Sequence, residues 1–269
     1  MMANNQSTNY NVEQVKNYVK SVNWDKRLKK ELLFLSELFF KHKYSDICDF
    51  GCGPGIHALE FAKTQPNFQI TGLDIDQNMI DYAIQNAKNA NLENLQFVQG
   101  NFLNLSKSLV SFKEKFDVLY SLGNAIMILW SNNEDLSIPE IFKKLSYFIK
   151  PGGGLFFQIL NSDSPRDGHV VSKIMTNETG DSQMLIKHFL AVENKLLTTF
   201  STITWNPTDP TSVKITGSRK GRLKLVPLNH LQESMEEAGF SNFTFYENYD
   251  SNPLQPNKSD SLMCFAMKV

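Results

Sequence analysis

Apolar residues recur along the first part of the chain in two alternating rhythms. Leu28, Leu32, Leu35 and Phe39 return at helical spacing within 24–42, which predicts a helix whose apolar stripe packs on a core. Residues 12–22 read as a shorter helix ahead of it. Short apolar runs at 46–50, 68–73, 95–98, 116–120 and 155–160 read as strands. The segments between them read as helices: 56–63, then 78–90 with Ile80, Ala83, Ile84 and Ala87 on one face. A third runs from Ser137-Ile-Pro-Glu140 to Ile149, because Ser and Glu at capping-box spacing with a first-turn proline mark a helix start. Strand and helix in regular alternation predict βαβ units and a mostly parallel sheet.

After residue 160 the rhythm changes. Residues 161–182 are rich in Ser, Asp, Asn and Gly and read as a loop. The segments 184–192, 195–205 and 213–225 carry β-branched and aromatic residues between turn residues, which predicts antiparallel strands. A helix over 228–238 is entered at Asn229, with Gln232 three residues on, and closed by Gly239. Strands at 243–249 and 262–268 would form a closing hairpin. The fold class is therefore α/β: a doubly wound, mostly parallel seven-stranded sheet with an antiparallel edge hairpin, N-terminal helices and a small inserted antiparallel β segment. In domain terms this gives a helical cap (1–44), an α/β core (45–160), an inserted β segment over the site (161–226), and a C-terminal helix and hairpin that complete the core (227–269).

Composition narrows the function. The 269 residues are 41% hydrophobic and 20% charged, an ordinary soluble globular balance. A net charge of −1 gives no reason to expect a nucleic-acid or anionic-membrane partner. The start MMANNQSTNY has no basic region followed by an apolar stretch, and the apolar run from Ala125 to Trp130 is too short to span a bilayer. Cys48, Cys52 and Cys264 are odd in number and scattered, which fits a reducing compartment, so a cytoplasmic location is expected. Neither they nor His42, His57, His169, His188 and His230 show metal-ligand spacing, and no metal site is expected.

The strongest chemical signal is the strand ending at Asp49 that runs into Gly51-Cys52-Gly53-Pro54-Gly55. A Gly-rich turn between a first strand and a helix lets a ligand approach the backbone where a Cβ would collide. The third glycine comes one position earlier than in the dinucleotide fingerprint, and an acid lies two residues before the first, so the pattern departs from that of NAD enzymes. Asp74 ends the second strand roughly 20 residues further on, where a carboxylate can accept both ribose hydroxyls of an adenosine.

These segments, with Thr71-Gly-Leu-Asp-Ile-Asp76, Phe97-Val-Gln-Gly-Asn101-Phe102, Phe116-Asp-Val-Leu-Tyr-Ser121 and Lys150-Pro-Gly-Gly-Gly154, resemble the ordered motif set of class I (Rossmann-like) S-adenosylmethionine-dependent methyltransferases over roughly 45–160. The resemblance implies S-adenosyl-L-methionine as cofactor. It implies that Gly51, Cys52, Gly53 and Gly55 line its methionine part, with Asp49 at the turn or the amino group. Asp74 would take the ribose, and Ile75 and Met79 would pack on the adenine. Asn101 and Phe102 stand where the family has Asp and an apolar residue, and an amide oxygen also accepts a hydrogen bond. Ser121 and Leu122 would lie beside the sulfonium, and Asn124 beside the acceptor as the catalytic candidate. Leu119-Tyr-Ser-Leu-Gly-Asn124 also resembles the corresponding loop of glycine and sarcosine N-methyltransferases. No Asn/Asp-Pro-Pro-Tyr-type motif follows the fourth strand, which argues against methylation of nucleic-acid bases.

Methyl transfer from a sulfonium needs alignment first, at an attack distance of about 3 Å. A general base is needed only if the acceptor must lose a proton. Tyr18, Trp24, Arg27, Trp130, His188 and Arg222 are candidate pocket residues, although a packing role for Trp24 and a solvated charged face for Asp25–Lys30 are the plainer readings. His57 reads as a surface or capping residue, and His169 is left unassigned. A small-molecule acceptor, an amine ahead of a phenol or quinone, is the leading expectation. An NAD(P)-dependent oxidoreductase and a non-catalytic cofactor-binding protein of the same fold are the alternatives.

Overall fold

A computed structural model describes residues 10–104, 107–133, 135–164, 168–171, 174–176, 180–192 and 195–269. Two helices, α1 (Val12–Ser21) and α2 (Trp24–His42), precede β1 (Asp46–Phe50), α3 (Ile56–Thr64), β2 (Gln69–Asp74), α4 (Gln77–Ala90) and β3 (Leu95–Gln99). A short α5 (Lys107–Val110) leads to β4 (Phe116–Ser121), α6 (Ala125–Ser131), α7 (Ile138–Ser146) and β5 (Ile149–Leu160). Strands β6 (Gly168–Val171), β7 (Met175–Thr176), β8 (Ser182–Val192), β9 (Lys195–Asn206) and β10 (Asp209–Lys224) follow, then α8 (Leu228–Glu237), β11 (Phe240–Tyr246) and β12 (Ser261–Lys268).

Local chemistry sets the helix ends. Asn11 and Gln14 form a capping box at α1, and Ser137 and Glu140 form another at α7 with Pro139 in its first turn. Asp76 caps α4 by accepting from Asn78 N and Met79 N.

The main sheet has seven strands in the order β11-β12-β5-β4-β1-β2-β3. The pairs β3–β2, β2–β1, β1–β4 and β4–β5 are parallel, and β12 runs antiparallel to both β5 and β11. The strand order reverses at β1, between β2 and β4, which is the point where such sheets open a crevice at their carboxyl ends. Side chains of β1 and β4 alternate between the two faces. Ile47, Val118 and Tyr120 join Phe34, Leu35, Phe39 and Phe61 on one side. Cys48, Leu119 and Phe157 join Phe142, Leu145 and Leu231 on the other. A second antiparallel sheet, β10-β9-β8-β6 with β7 beside β8, packs Leu196 and Leu223 into the same core cluster as Ile126 and Met127 of α6.

The structure adds to and corrects the sequence reading at several points. Part of 161–182 is strand: β6 and β7 pair with β8, and that partner, not the local composition, makes them extended. Trp130 lies on a helix, because Gly123 and Asn124, both left-handed, turn the chain from β4 into α6. α8 begins at Leu228 as read, but Pro227 and not Asn229 holds its cap position. α7 ends at Ser146 and not at Ile149, because Ile149 already opens β5 beside Phe116. β11 starts at Phe240, since Gly239 at φ +85° ends the helix and Phe240 already pairs with Lys268.

Candidate active site

The Gly-rich turn hangs on β2. Gly51 N and Cys52 N donate to Leu73 O at 2.8 and 3.1 Å, and Gly53 N donates to Asp74 Oδ2 at 2.8 Å. Gly51, Gly53 and Gly55 have φ of +70°, +54° and +72°. The glycines serve different ends. A Cβ on Gly55 would meet the Phe97 ring at 2.5 Å and Ala83 Cβ at 2.7 Å, so this glycine lets α3 pack against α4 and β3. A Cβ on Gly53 would meet nothing within 4 Å. The backbone at Gly53 is therefore open toward the crevice. Cys52 is buried, and burial pushes its thiol pKa well up, so it acts through its backbone.

Asp74 is committed on both oxygens, to Gly53 N and, at 2.9 Å, to Asp76 N. Each carboxylate oxygen retains a further acceptor site. Burial raises its pKa, and the hydrogen bonds from Asp76 and Gly53 work the other way. Asp49 is 4% exposed, and its Oδ2 has no hydrogen-bond partner among the described residues. Burial pushes its pKa up to about 6. Ser121 Oγ, at the end of β4, is likewise buried and unpaired.

The other expected residues fall around this turn in distinct ways. Ile75 is exposed beside Asp74, and Met79 is buried in α4. Asn101 Oδ1 accepts from Leu103 N at 3.1 Å, and Phe102 packs edge-on to Phe50 with centroids 4.4 Å apart. Leu122 is half-buried. Asn124, at φ +69°, receives Leu160 N on its Oδ1 at 2.6 Å and so ties the end of β4 to β5. Gly123 N donates to Gln158 Oε1 at 2.9 Å, which braces the same loop.

The N-terminal helices meet the starts of α4 and α3. Tyr10 N donates to Asp76 Oδ2 at 2.6 Å, and Asn78 Nδ2 donates to Tyr10 O at 2.6 Å. Tyr10, Tyr18, Trp24 and His57 follow one another at centroid distances of 6.3, 6.2 and 5.5 Å. Tyr18 lies close enough to Asp74 and Arg27 for their charges to bear on its desolvated hydroxyl. Three of the candidates lie elsewhere. His188 and Arg222 are exposed on the second sheet, and Trp130 donates to Leu136 O at 3.1 Å beneath the Lys224 ammonium. His169 lies on β6 opposite His188, and its side chain is outside the described residues.

His57 is buried, in contrast to the surface role read from the sequence, because Trp24 and Glu31 of α2 cover it. Glu31 was missed altogether. It contacts His57 Nε2 through Oε2 and accepts from Arg27 Nε on Oε1 at 2.8 Å. A signal was present, since Glu31 falls between Leu28 and Leu35 on the apolar stripe of α2. Among the described residues no group of three or more His, Cys, Asp or Glu is placed to hold a metal ion. No helix among them is long and apolar enough to cross a membrane. Two surface grooves, along α4 and β3 and along the outer face of α2, touch neither the Gly-rich turn nor Asp74.

The sequence profile of the family described as methyltransferase domain matches residues 41–204, and the chain belongs to that family. The matched region is a methyltransferase domain, and S-adenosyl-L-methionine is its cofactor. The release factor glutamine methyltransferase of Streptococcus pneumoniae is 37% identical over 75 residues, which is 28% of this chain and 24% of that protein, so the chain spans about a quarter of that relative's length. A structure of an S-adenosylmethionine-dependent methyltransferase from Clostridium acetobutylicum superposes with a TM-score of 0.70 at 13% identity, covering 96% of this chain and 99% of that one. The sugar N-methyltransferase KedS8 from a Streptoalloteichus species gives 0.69 at 14% identity, covering 100% and 99%. These likenesses extend across the cap and the second sheet.

The site suits this cofactor. A buried carboxylate with an unpartnered oxygen before the turn and a second acid at the end of β2 fit a group with a cationic amino-acid end and a vicinal diol better than they fit a pyrophosphate anion. When bound, the cofactor supplies an electrophilic methyl group and its own leaving group.

Gly53→Ala tests the open face. With nothing to collide with, the fold should lose only about 1 kcal/mol from the positive φ. The added methyl enters the crevice, and affinity for S-adenosylhomocysteine should drop roughly tenfold or more by calorimetric titration. Unchanged affinity would place the cofactor away from this turn.

Proposed function

We propose that this methyltransferase acts on a small-molecule amine by direct in-line transfer. In this reading Asp49 takes the cofactor's amino group, the backbone of Gly51–Gly55 its methionine part and Asp74 its ribose. Ile75, Met79, Asn101 and Phe102 flank the adenine, and Ser121, Leu122 and Asn124 border the sulfonium and the acceptor.

The observation that carries the amine reading is the chemistry at the end of β4. Ser121 offers a hydroxyl, and Asn124 offers a carboxamide whose oxygen is already engaged with Leu160 N. Neither is a general base. A neutral amine attacks without one, while a phenol or carbon acid would have to be deprotonated first. In this reading the N-terminal helices and the second sheet border the acceptor side of the site, which would favour a compact acceptor over a macromolecule. The near-neutral net charge of −1 gives no support to a nucleic-acid or membrane partner, and the odd, scattered cysteines fit a cytoplasmic location.

The test is an acceptor screen with labelled cofactor, running amino sugars and simple amines beside phenols and quinones. Turnover confined to amines is the expected outcome. Methylation of a phenol or quinone with every amine inert would replace this reading by O- or C-methylation. Tight cofactor binding with no turnover on any class would favour a non-catalytic role.

A further inference from the structure

Asp49 lacks a hydrogen-bond donor on Oδ2, so its capacity to carry charge depends on the groups around it. These come from several elements. His57 faces it from α3, Asp74 from the end of β2, and Tyr120 from β4, with Cys48 and Cys52 on its own strand and turn. Among them the His57 charge favours ionisation of Asp49 most, the Tyr120 hydroxyl and the Ala58 backbone N–H add to it, and Asp74 opposes it.

His57 is itself held from the cap. Its Nε2 contacts Glu31 Oε2, and its ring stands edge-on to Trp24 at 5.5 Å. Glu31 also binds Arg27 Nε at 2.8 Å, and the Arg27 guanidinium lies 5.2 Å from the Trp24 ring centroid. The hydroxyls of Tyr18 and Tyr249 flank Arg27. Burial works against the Glu31 charge, but His57 and Arg27 together hold its carboxyl below the ordinary range. An isolated stabilising pair would need Arg27 and Glu31 alone. The third member follows Gly55 by two residues, in the first turn of the helix that leaves the Gly-rich turn.

We propose that Arg27, Glu31 and His57 form a positioning chain through which the N-terminal cap fixes how well Asp49 holds the cationic amino-acid end of the cofactor. The chain of charge then alternates from the cofactor ammonium through Asp49, His57 and Glu31 to Arg27. The cap helix α2 is thereby part of the cofactor site and not only its cover. This inference rests on the assignment of Asp49 to the cofactor amino group.

The experiment is S-adenosylhomocysteine titration of the full chain from about pH 5.5 to 8.5, with melting temperature measured in parallel. His57→Gln keeps a donor for Glu31 and removes the charge. It should weaken binding roughly tenfold near neutral pH and move the acidic edge of the affinity profile up by about one unit. Glu31→Gln should move the edge the same way, and it carries the test if His57→Gln does not fold. A purely structural role lowers the melting temperature and leaves the shape of the pH profile alone. A variant profile parallel to the parent's overturns the proposal. Asp49→Asn separates the two levels. If it binds as tightly as the parent, the reading of Asp49 fails and the chain with it. If it loses binding while His57→Gln titrates like the parent, the chain alone fails.

Discussion

Asp74→Ala is expected to lower affinity for S-adenosylhomocysteine by about 10²- to 10⁴-fold while the protein stays folded. Two contributions add. The carboxylate is the acceptor proposed for the ribose diol, and charged hydrogen bonds contribute about 1.5–3 kcal/mol each. The same carboxylate anchors the turn through Gly53 N and shapes the entry to α4 through Asp76 N. Removing it frees the open glycine that the cofactor must pass closely. The fold should survive, because Gly51 N and Cys52 N remain bonded to Leu73 O and Asp76 still caps α4. Calorimetric titration with S-adenosylhomocysteine, with NADH and NADPH as controls, measures the effect. Asp74→Asn, which keeps one oxygen acceptor, should fall between. Parent-like binding by Asp74→Ala would falsify the site assignment, and binding of a nicotinamide nucleotide instead would overturn the reading of the turn.

The turn and Asp74 were legible because each is a local signal. A glycine at positive φ and an acid at a strand end are written in single residues, and the two lie at the ends of the paired strands β1 and β2. The second sheet was only half legible. Its long strands β8 to β10 carry the right residues, but β6 and β7 are extended because β8 lies beside them, and pairing leaves no local trace. The position of Asn124 after β4 was readable in the chain, but its bond to Leu160 N depends on β5 being the neighbouring strand. The cap was the least legible. Asp25–Lys30 reads as a solvated charged run, yet Arg27 turns inward, since a buried carboxylate four residues later and an aromatic face three residues earlier offset its desolvation. The burial of His57 followed from the same contacts. Tertiary electrostatics of this kind appear in sequence only as an oddity, here an acid on an apolar stripe.

Asp49→Asn is expected to move stability and binding in opposite directions, and only above a defined pH. The Asp49 pKa rises to about 6 in the folded protein, with burial as the main cause. An unfolded chain releases that proton near the ordinary carboxylate value of about 3.9. The sign follows. The folded state holds the proton more tightly, so the charge costs nothing below about pH 4, costs more as pH rises through the interval, and reaches its full penalty above about pH 6. A shift of about two units corresponds to roughly 3 kcal/mol as an upper figure. The isosteric amide carries no charge to desolvate. The free variant should therefore melt several degrees higher than the parent at about pH 8, with the difference vanishing toward pH 4. Binding should reverse the order, because the variant has no carboxylate for the cofactor's ammonium and loses roughly 10- to 100-fold in affinity. At saturating S-adenosylhomocysteine the gap between the two should narrow by about 1.4–2.7 kcal/mol, the free-energy equivalent of that affinity ratio. A variant less stable than the parent at pH 8 without ligand would show that Asp49 supports the fold; a gap that ligand leaves unchanged would show that its buried charge serves some purpose other than this ligand. The expected narrowing would mean that the protein gives up stability at Asp49 to keep a charge for the cofactor.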